Sequence, residues 1–142
     1  MSGRRIDSDA GIRDWLTSVR TIAVVGLSPH PHRPSHQVSD YLRRVGYRIL
    51  PVHPAGGARF GEPVHASLAE AARTAVPDLV NVFRRPEALP DLVEEVIALG
   101  LPRVWFQLGV RHPGAEARAL ESGIDLVADR CLLVEHKRLF LE

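Results

Sequence analysis

Nearly all the positive charge of this chain is arginine: of 18 basic side chains in 142 residues, only Lys137 is a lysine. Arginine carries a planar fork of donors suited to phosphate and carboxylate oxygens, and it does not lose its charge. The segment Gly26-Leu27-Ser28-Pro29-His30-Pro31-His32-Arg33-Pro34-Ser35 joins such a fork to two hydroxyls and a glycine that lets the backbone approach a ligand closely. If a helix begins at its end, the segment has the parts of an anion site; it can equally serve as a rigid proline-rich connection. His53-Pro54, Arg84-Arg85 and Arg130-Cys131 add further donors and the chain's one thiol. The scarcity of lysine removes other chemistries. A Walker-type phosphate loop needs a lysine just after its glycines, a Schiff-base enzyme needs one in a pocket, and Lys137 suits neither.

The elements that must position these residues are readable from periodicity. Thr21–Gly26, Tyr47–Val52, Leu79–Phe83, Arg103–Leu108 and Ile124–Ala128 are strand-length runs rich in aliphatic and β-branched residues. Between them lie helical patterns: Val38, Tyr41, Leu42 and Val45 closed by Gly46, and Leu89, Leu92, Val93, Val96 and Ile97 opened near Pro86 and closed by Gly100. A shorter helix is expected from Gly114 to Ser122, a weak one over Leu68–Thr74 after Ser67, and an N-terminal one marked by Ile12, Trp15, Leu16 and Val19 with Ser8 or Asp9 as cap. Strand and helix alternate with the period of about 30 residues of a βαβ unit, which implies one doubly wound, Rossmann-like α/β domain spanning residues 1–142 with about five mainly parallel strands in a three-layer sandwich.

In such a sheet, ligands bind beyond the carboxyl ends of the strands. The residues expected there form a coherent set: the Gly26–Ser35 loop, then Val52, His53 and Pro54, then Phe83, Arg84 and Arg85, then Gln107, Leu108 and Gly109, then Asp129, Arg130 and Cys131. The dinucleotide fingerprint G-x-G-x-x-G is absent, because Ser28 and Pro31 stand where its later glycines belong. The second strand ends on His53 and not on the acidic residue that accepts the ribose hydroxyls of NAD. A histidine can donate to phosphate where aspartate repels it, although His53 is also an ordinary turn residue before a proline. Arg84 and Arg85 can face a phosphate or pair with Glu87. Cys131 is either a thiol near a ligand or a small half-buried hydrophobe. His30, His32 and His36 cluster in sequence, but no carboxylate or cysteine lies at metal-ligand spacing from them, and no nucleophile-base-acid set is specified by spacing.

Composition bounds the remainder. A net charge of +1 and a pI near 8.1 leave no nucleic-acid footprint. One cysteine precludes an internal disulfide, no window approaches a membrane span, and the expectation is a soluble, cytoplasmic protein without membrane association.

In this order, IAVVGLSPHPHRPS, YRILPVHP, FGEPVHASL, VFRRPE, VWFQLGV and VADRC resemble the stand-alone CoA-binding domain family, small proteins similar to the N-terminal domain of the succinyl-CoA synthetase alpha subunit. The resemblance runs from about Thr21 to Leu139. It implies a Rossmann-like fold that binds coenzyme A as cofactor. Gly26, Leu27, Ser28, Arg33, Pro34 and Ser35 would form the phosphate loop, and Val52, His53 and Pro54 would border adenosine. Phe83, Arg84 and Arg85 would flank the ligand, with Gln107, Leu108 and Gly109 toward pantetheine; family members often carry asparagine at the position of His53. Arg130 and Cys131 are added as the residues ending the last strand. The synthetase's phosphorylated histidine lies in a further domain that this chain does not contain, so ligase activity does not follow from the fold. The expectation is a CoA or acyl-CoA binding module that is not itself catalytic. The alternatives are a nucleotide-dependent oxidoreductase and a thiol redox or regulatory protein using Cys131 with bound CoA.

Overall fold

The computed structural model describes residues 2–141. The order of elements is α1 (Asp9–Ser18), β1 (Thr21–Val25), α2 (Pro34–Arg44), β2 (Arg48–Val52), β3 (Ala58–Arg59), β4 (Glu62–Pro63), α3 (Leu68–Thr74), β5 (Leu79–Val82), α4 (Leu89–Leu99), β6 (Arg103–Phe106), α5 (Pro113–Glu121), β7 (Asp125–Val127) and α6 (Leu132–Phe140). Five of the strands form one parallel sheet in the order β2-β1-β5-β6-β7.

Alternation along the strands divides the core in two. Ala23, Val25, Leu50, Val52, Val80, Val82, Val104, Phe106 and Leu126 pack with α3, α4 and α5. Ile22, Val24, Ile49, Leu79, Trp105 and Val127 pack with α1, α2 and α6. A sheet buried on both faces explains why the strands read as nearly continuous apolar runs. Pro51 sits inside β2 without breaking the ladder. Its carbonyl accepts from His65 N at 2.9 Å on the outer margin, so the N–H it lacks belongs to the side away from β1.

The helices start and stop for local reasons. Ser8 Oγ accepts from Gly11 N at 3.1 Å, Ser67 Oγ from Glu70 N at 3.1 Å, and His112 Nδ1 from Ala115 N at 3.0 Å. Pro34 supplies the first turn of α2, where a missing N–H costs nothing. A single 3-10 turn, Pro86–Ala88, precedes α4, and Gly100 ends that helix with φ +68°.

The parallel sheet with helices on both faces confirms the Rossmann-like α/β architecture expected from the sequence; β2 ends at Val52 as read, and the other four strands end one or two residues earlier than their apolar runs. Three features were not anticipated: the β3–β4 hairpin, the pairing of Arg5 with Leu126 beside β7, and α6. Helix α6 buries Leu132, Glu135 and His136, so two of its three buried side chains are ionisable and the apolar spacing that marks a helix is interrupted. Among the described residues, no helix is long and apolar enough to cross a membrane.

Candidate ligand cleft at the carboxyl edge

The chain passes from β1 to β2 on one side and reaches β5 on the other, so the sheet's topological switch point falls between β1 and β5. Gly26 occupies it. Its φ is +91°, and a Cβ there would run into the carbonyl oxygen of Phe83. Gly26 N donates to Val52 O at 2.9 Å and Phe83 N to Val25 O at 2.9 Å, locking the ends of three strands together. The loop beyond is folded by its own serines: Ser28 N donates to Ser35 Oγ at 3.0 Å, and His30 N to Ser28 Oγ at 3.1 Å. It delivers Arg33 as the residue capping α2, with no side-chain cap bond, so the guanidinium is not used to hold the helix.

A cleft of about 770 Å³ opens here, bordered by Gly26, Ser28, His30, Arg33, Pro34, Ser35, His53, Pro54, Phe83, Arg84 and Arg85. It continues into a second compartment of about 520 Å³, where Val38, Gln107, Leu108, Val110 and Cys131 join Pro34, Phe83 and the two arginines. The first compartment is cationic and the second is mostly aliphatic. Among the described residues, Arg33, Arg84 and Arg85 make no ion pair, and the Glu87 partner considered for the last two is not engaged. Three unneutralised guanidinium groups beside the N-terminus of α2 favour a polyanion.

His53 Nδ1 accepts from Ala55 N at 3.0 Å, which leaves Nε2 to carry the proton of the neutral ring. Partial burial, then Arg59, then Arg84 push its pKa below the usual histidine value, so at neutral pH it is an uncharged donor. Gln107 is almost fully buried and donates through Nε2 to Asn81 Oδ1 at 2.6 Å, while Asn81 Nδ2 is buried without a partner.

The remaining candidates take different places. Leu27 and Val52 are core residues and offer only backbone: Leu27 O accepts from Arg59 Nε at 3.1 Å, and Val52 O holds Gly26. Gly109 lies in the turn beyond β6, its N bonded to Asp129 Oδ1 at 2.9 Å. Arg130 does not join Arg33, Arg84 and Arg85. Its Nη2 donates to Asp7 O at 3.0 Å and its Nη1 reaches Glu135 Oε1 at 3.4 Å, in a separate cleft that also contains Arg5 and Arg111. Cys131 is half-buried on the rim between the aliphatic compartment and that separate cleft. Of the three clustered histidines, His36 packs against Phe60 with the rings tilted by 49° and their centroids 4.7 Å apart, and among the described residues no group of three metal-ligating side chains gathers. Sequence reasoning missed Arg59, whose only signal is the turn-forming Gly56-Gly57 before it, and Asn81, a lone polar residue in an apolar strand.

The model of the family described as CoA binding domain matches residues 20–137, from the entry to β1 into α6. The chain belongs to the CoA-binding domain family. Its relatives include the uncharacterized protein YneT of Bacillus subtilis (strain 168), 39% identical over 129 residues that cover 91% of this chain and 94% of that one. A solved structure described as cell-free ID.343 from Thermus thermophilus is 47% identical, with a TM-score of 0.87 over 94% of this chain and all of the other. A hypothetical protein from Pyrococcus horikoshii OT3 is 35% identical, with a TM-score of 0.85 and 98% of each chain covered.

Proposed function

We propose that this CoA-binding-domain protein is a cytoplasmic coenzyme A or acyl-CoA binding module with no catalysis of its own. The observation that carries the reading is the junction of two unlike compartments at the switch point. CoA is itself divided in this way, into a nucleotide bearing a pyrophosphate and a ribose phosphate, and an uncharged pantetheine arm. The cationic compartment with Arg33, Arg84 and Arg85 suits the first part, and the aliphatic one with Val38, Leu108 and Val110 suits the second. NAD offers one pyrophosphate and asks for an acid at the end of β2, where this chain has His53. Calorimetric titration with CoA, dephospho-CoA, NAD and NADP tests the proposal. CoA is expected to bind most tightly, and no heat at high micromolar CoA would overturn the reading. A nicotinamide cofactor recovered from the denatured protein would favour an oxidoreductase instead.

The rim position of Cys131 supports a second reading, regulation through the thiol. Attack of the Cys131 thiolate on CoA disulfide would form a protein–CoA mixed disulfide and release one CoA thiol, consuming no further oxidant. Intact mass after incubation with CoA disulfide is expected to rise by one CoA in the native protein and not in Cys131→Ser. Equal spectra would exclude it.

A further inference from the structure

Behind the His53 side of the cleft lies a buried cation. Arg59, in β3, is only 6% exposed. Its Nε donates to Leu27 O at 3.1 Å, and its Nη1 to Ala58 O at 2.9 Å and Gly56 O at 3.4 Å. Every acceptor is a neutral carbonyl. Among the described residues, no carboxylate lies within ion-pair distance; Glu62, its partner in the β3–β4 register, does not reach it. Removing a guanidinium from water without a counter-charge is costly, and carbonyl dipoles offset only part of that cost.

The position is nevertheless well held. Gly57 makes room for the head group, since a Cβ there would stand 3.2 Å from Nη1. The next residue, Phe60, packs between His36 and Arg43, whose guanidinium carbon lies 5.0 Å from the ring centre. The hairpin thus pins a positive charge against the loop that starts at Gly26. The same turn ties it to His53, because Gly56, whose O accepts from Arg59 Nη1 at 3.4 Å, donates its N–H to His53 O at 3.2 Å, and His53 borders the cleft together with the unpaired Arg84. Both guanidinium groups lower the His53 pKa.

The cleft therefore has two separate places for negative charge. One is the N-terminus of α2 with Arg33. The other is the corner formed by His53 and Arg84, with Arg59 behind its wall. A ligand with a single phosphate cluster can satisfy one of them; a nucleotide with a second phosphate on its ribose satisfies both. We infer that Arg59 sets the preference of the cleft for a ribose-phosphorylated nucleotide, the phosphate seated against His53 and Arg84 while the buried charge completes its neutralisation from behind. Arg59 does not line the cleft, so it acts through its field and is a specificity residue without touching the ligand. The inference rests on the CoA-binding reading and adds to it the residue that distinguishes CoA from its dephosphorylated form.

The test compares CoA with dephospho-CoA on the full-length protein by calorimetry, in the native chain, in Arg59→Gln, which keeps hydrogen-bond donors without charge, and in Arg59→Lys, which keeps charge without the fork. The native protein is expected to prefer CoA, Arg59→Gln to lose roughly tenfold of that preference, and Arg59→Lys to retain most of it. Equal weakening of both ligands in Arg59→Gln would make Arg59 a brace for the loop and overturn the inference. So would equal affinities in the native protein, an outcome that needs no variant to fold. Absence of binding to either ligand would instead remove the CoA reading itself.

Discussion

The carboxyl edge of the sheet carries arginines along its whole width, yet its two halves use them in opposite ways. Beyond β1, β2 and β5, Arg33, Arg84 and Arg85 stand exposed without carboxylate partners around a cleft. Beyond β6 and β7, Arg111 and Arg5 both bind Glu116, at 3.0 and 2.9 Å, Arg130 pairs with Glu135, and Arg138 spans Glu135 and Asp9. The charges of the second half are consumed internally. They tie the N-terminal segment and α6 to the sheet, whereas those of the first half remain available. Residue type and position at the edge are shared; what separates binding from bracing is whether an acid is within reach.

The largest expected effect breaks the braced half. Glu116 is 1% exposed and also caps His112 N, so Glu116→Ala is expected to cost about 2–4 kcal/mol of stability, read by denaturant unfolding, while leaving CoA affinity unchanged. On the open half the pattern should invert. Arg84→Ala or Arg85→Ala is expected to weaken CoA by about 1.5–3 kcal/mol if its head group meets phosphate, with unfolding midpoints nearly unmoved. Arg130→Ala is the discriminating control, because it resembles Arg84 in sequence context: it should lose about 0.5–1 kcal/mol of stability and no CoA affinity. A CoA defect in Arg130→Ala as large as that of Arg84→Ala would collapse the distinction between the halves.

The smallest effect is a slope in acid. Burial raises the Glu116 pKa, but hydrogen bonds from Arg111, His112 N and Arg5 outweigh it and hold the carboxyl below its ordinary value. A depressed carboxylate contributes stability that is present above the unfolded-state value of about 4.3 and is lost as pH falls through the folded one. Glu116→Gln should therefore flatten the acid limb of a stability–pH curve relative to the native protein, and parallel curves would show that the brace is not electrostatic.

Much of the fold was legible because burial on both faces of a parallel sheet leaves long apolar runs, and because caps such as Ser8 and Ser67 are local signals. Helix α6 was not legible for the converse reason: Glu135 is buried against its sequence neighbours Arg130 and Arg138, and His136 against the distant Tyr41, so two of the inward positions are ionisable and no apolar stripe announces them. The cleft followed the same rule. Gly26, Ser28, Arg33, His53, Arg84 and Arg85 converge because strand ends dictate where they stand. The sequence could not show that Arg130 finds Asp7, 123 residues away, or that a glycine-rich turn would carry Arg59 inward.

Both margins of the sheet are bridged by a neighbouring segment, β2 only at its carboxyl end. Beside β2, Val52 pairs with His65, and Pro51 contributes no donor; beside β7, Arg5 pairs with Leu126 while Ile6 N and Leu126 N bond across the same seam. These bridges shorten the run of unpaired backbone that each edge offers to a foreign strand, most completely beside the three-residue β7. What the molecule leaves most open is therefore its side chains, and among them the exposed arginines of the cleft.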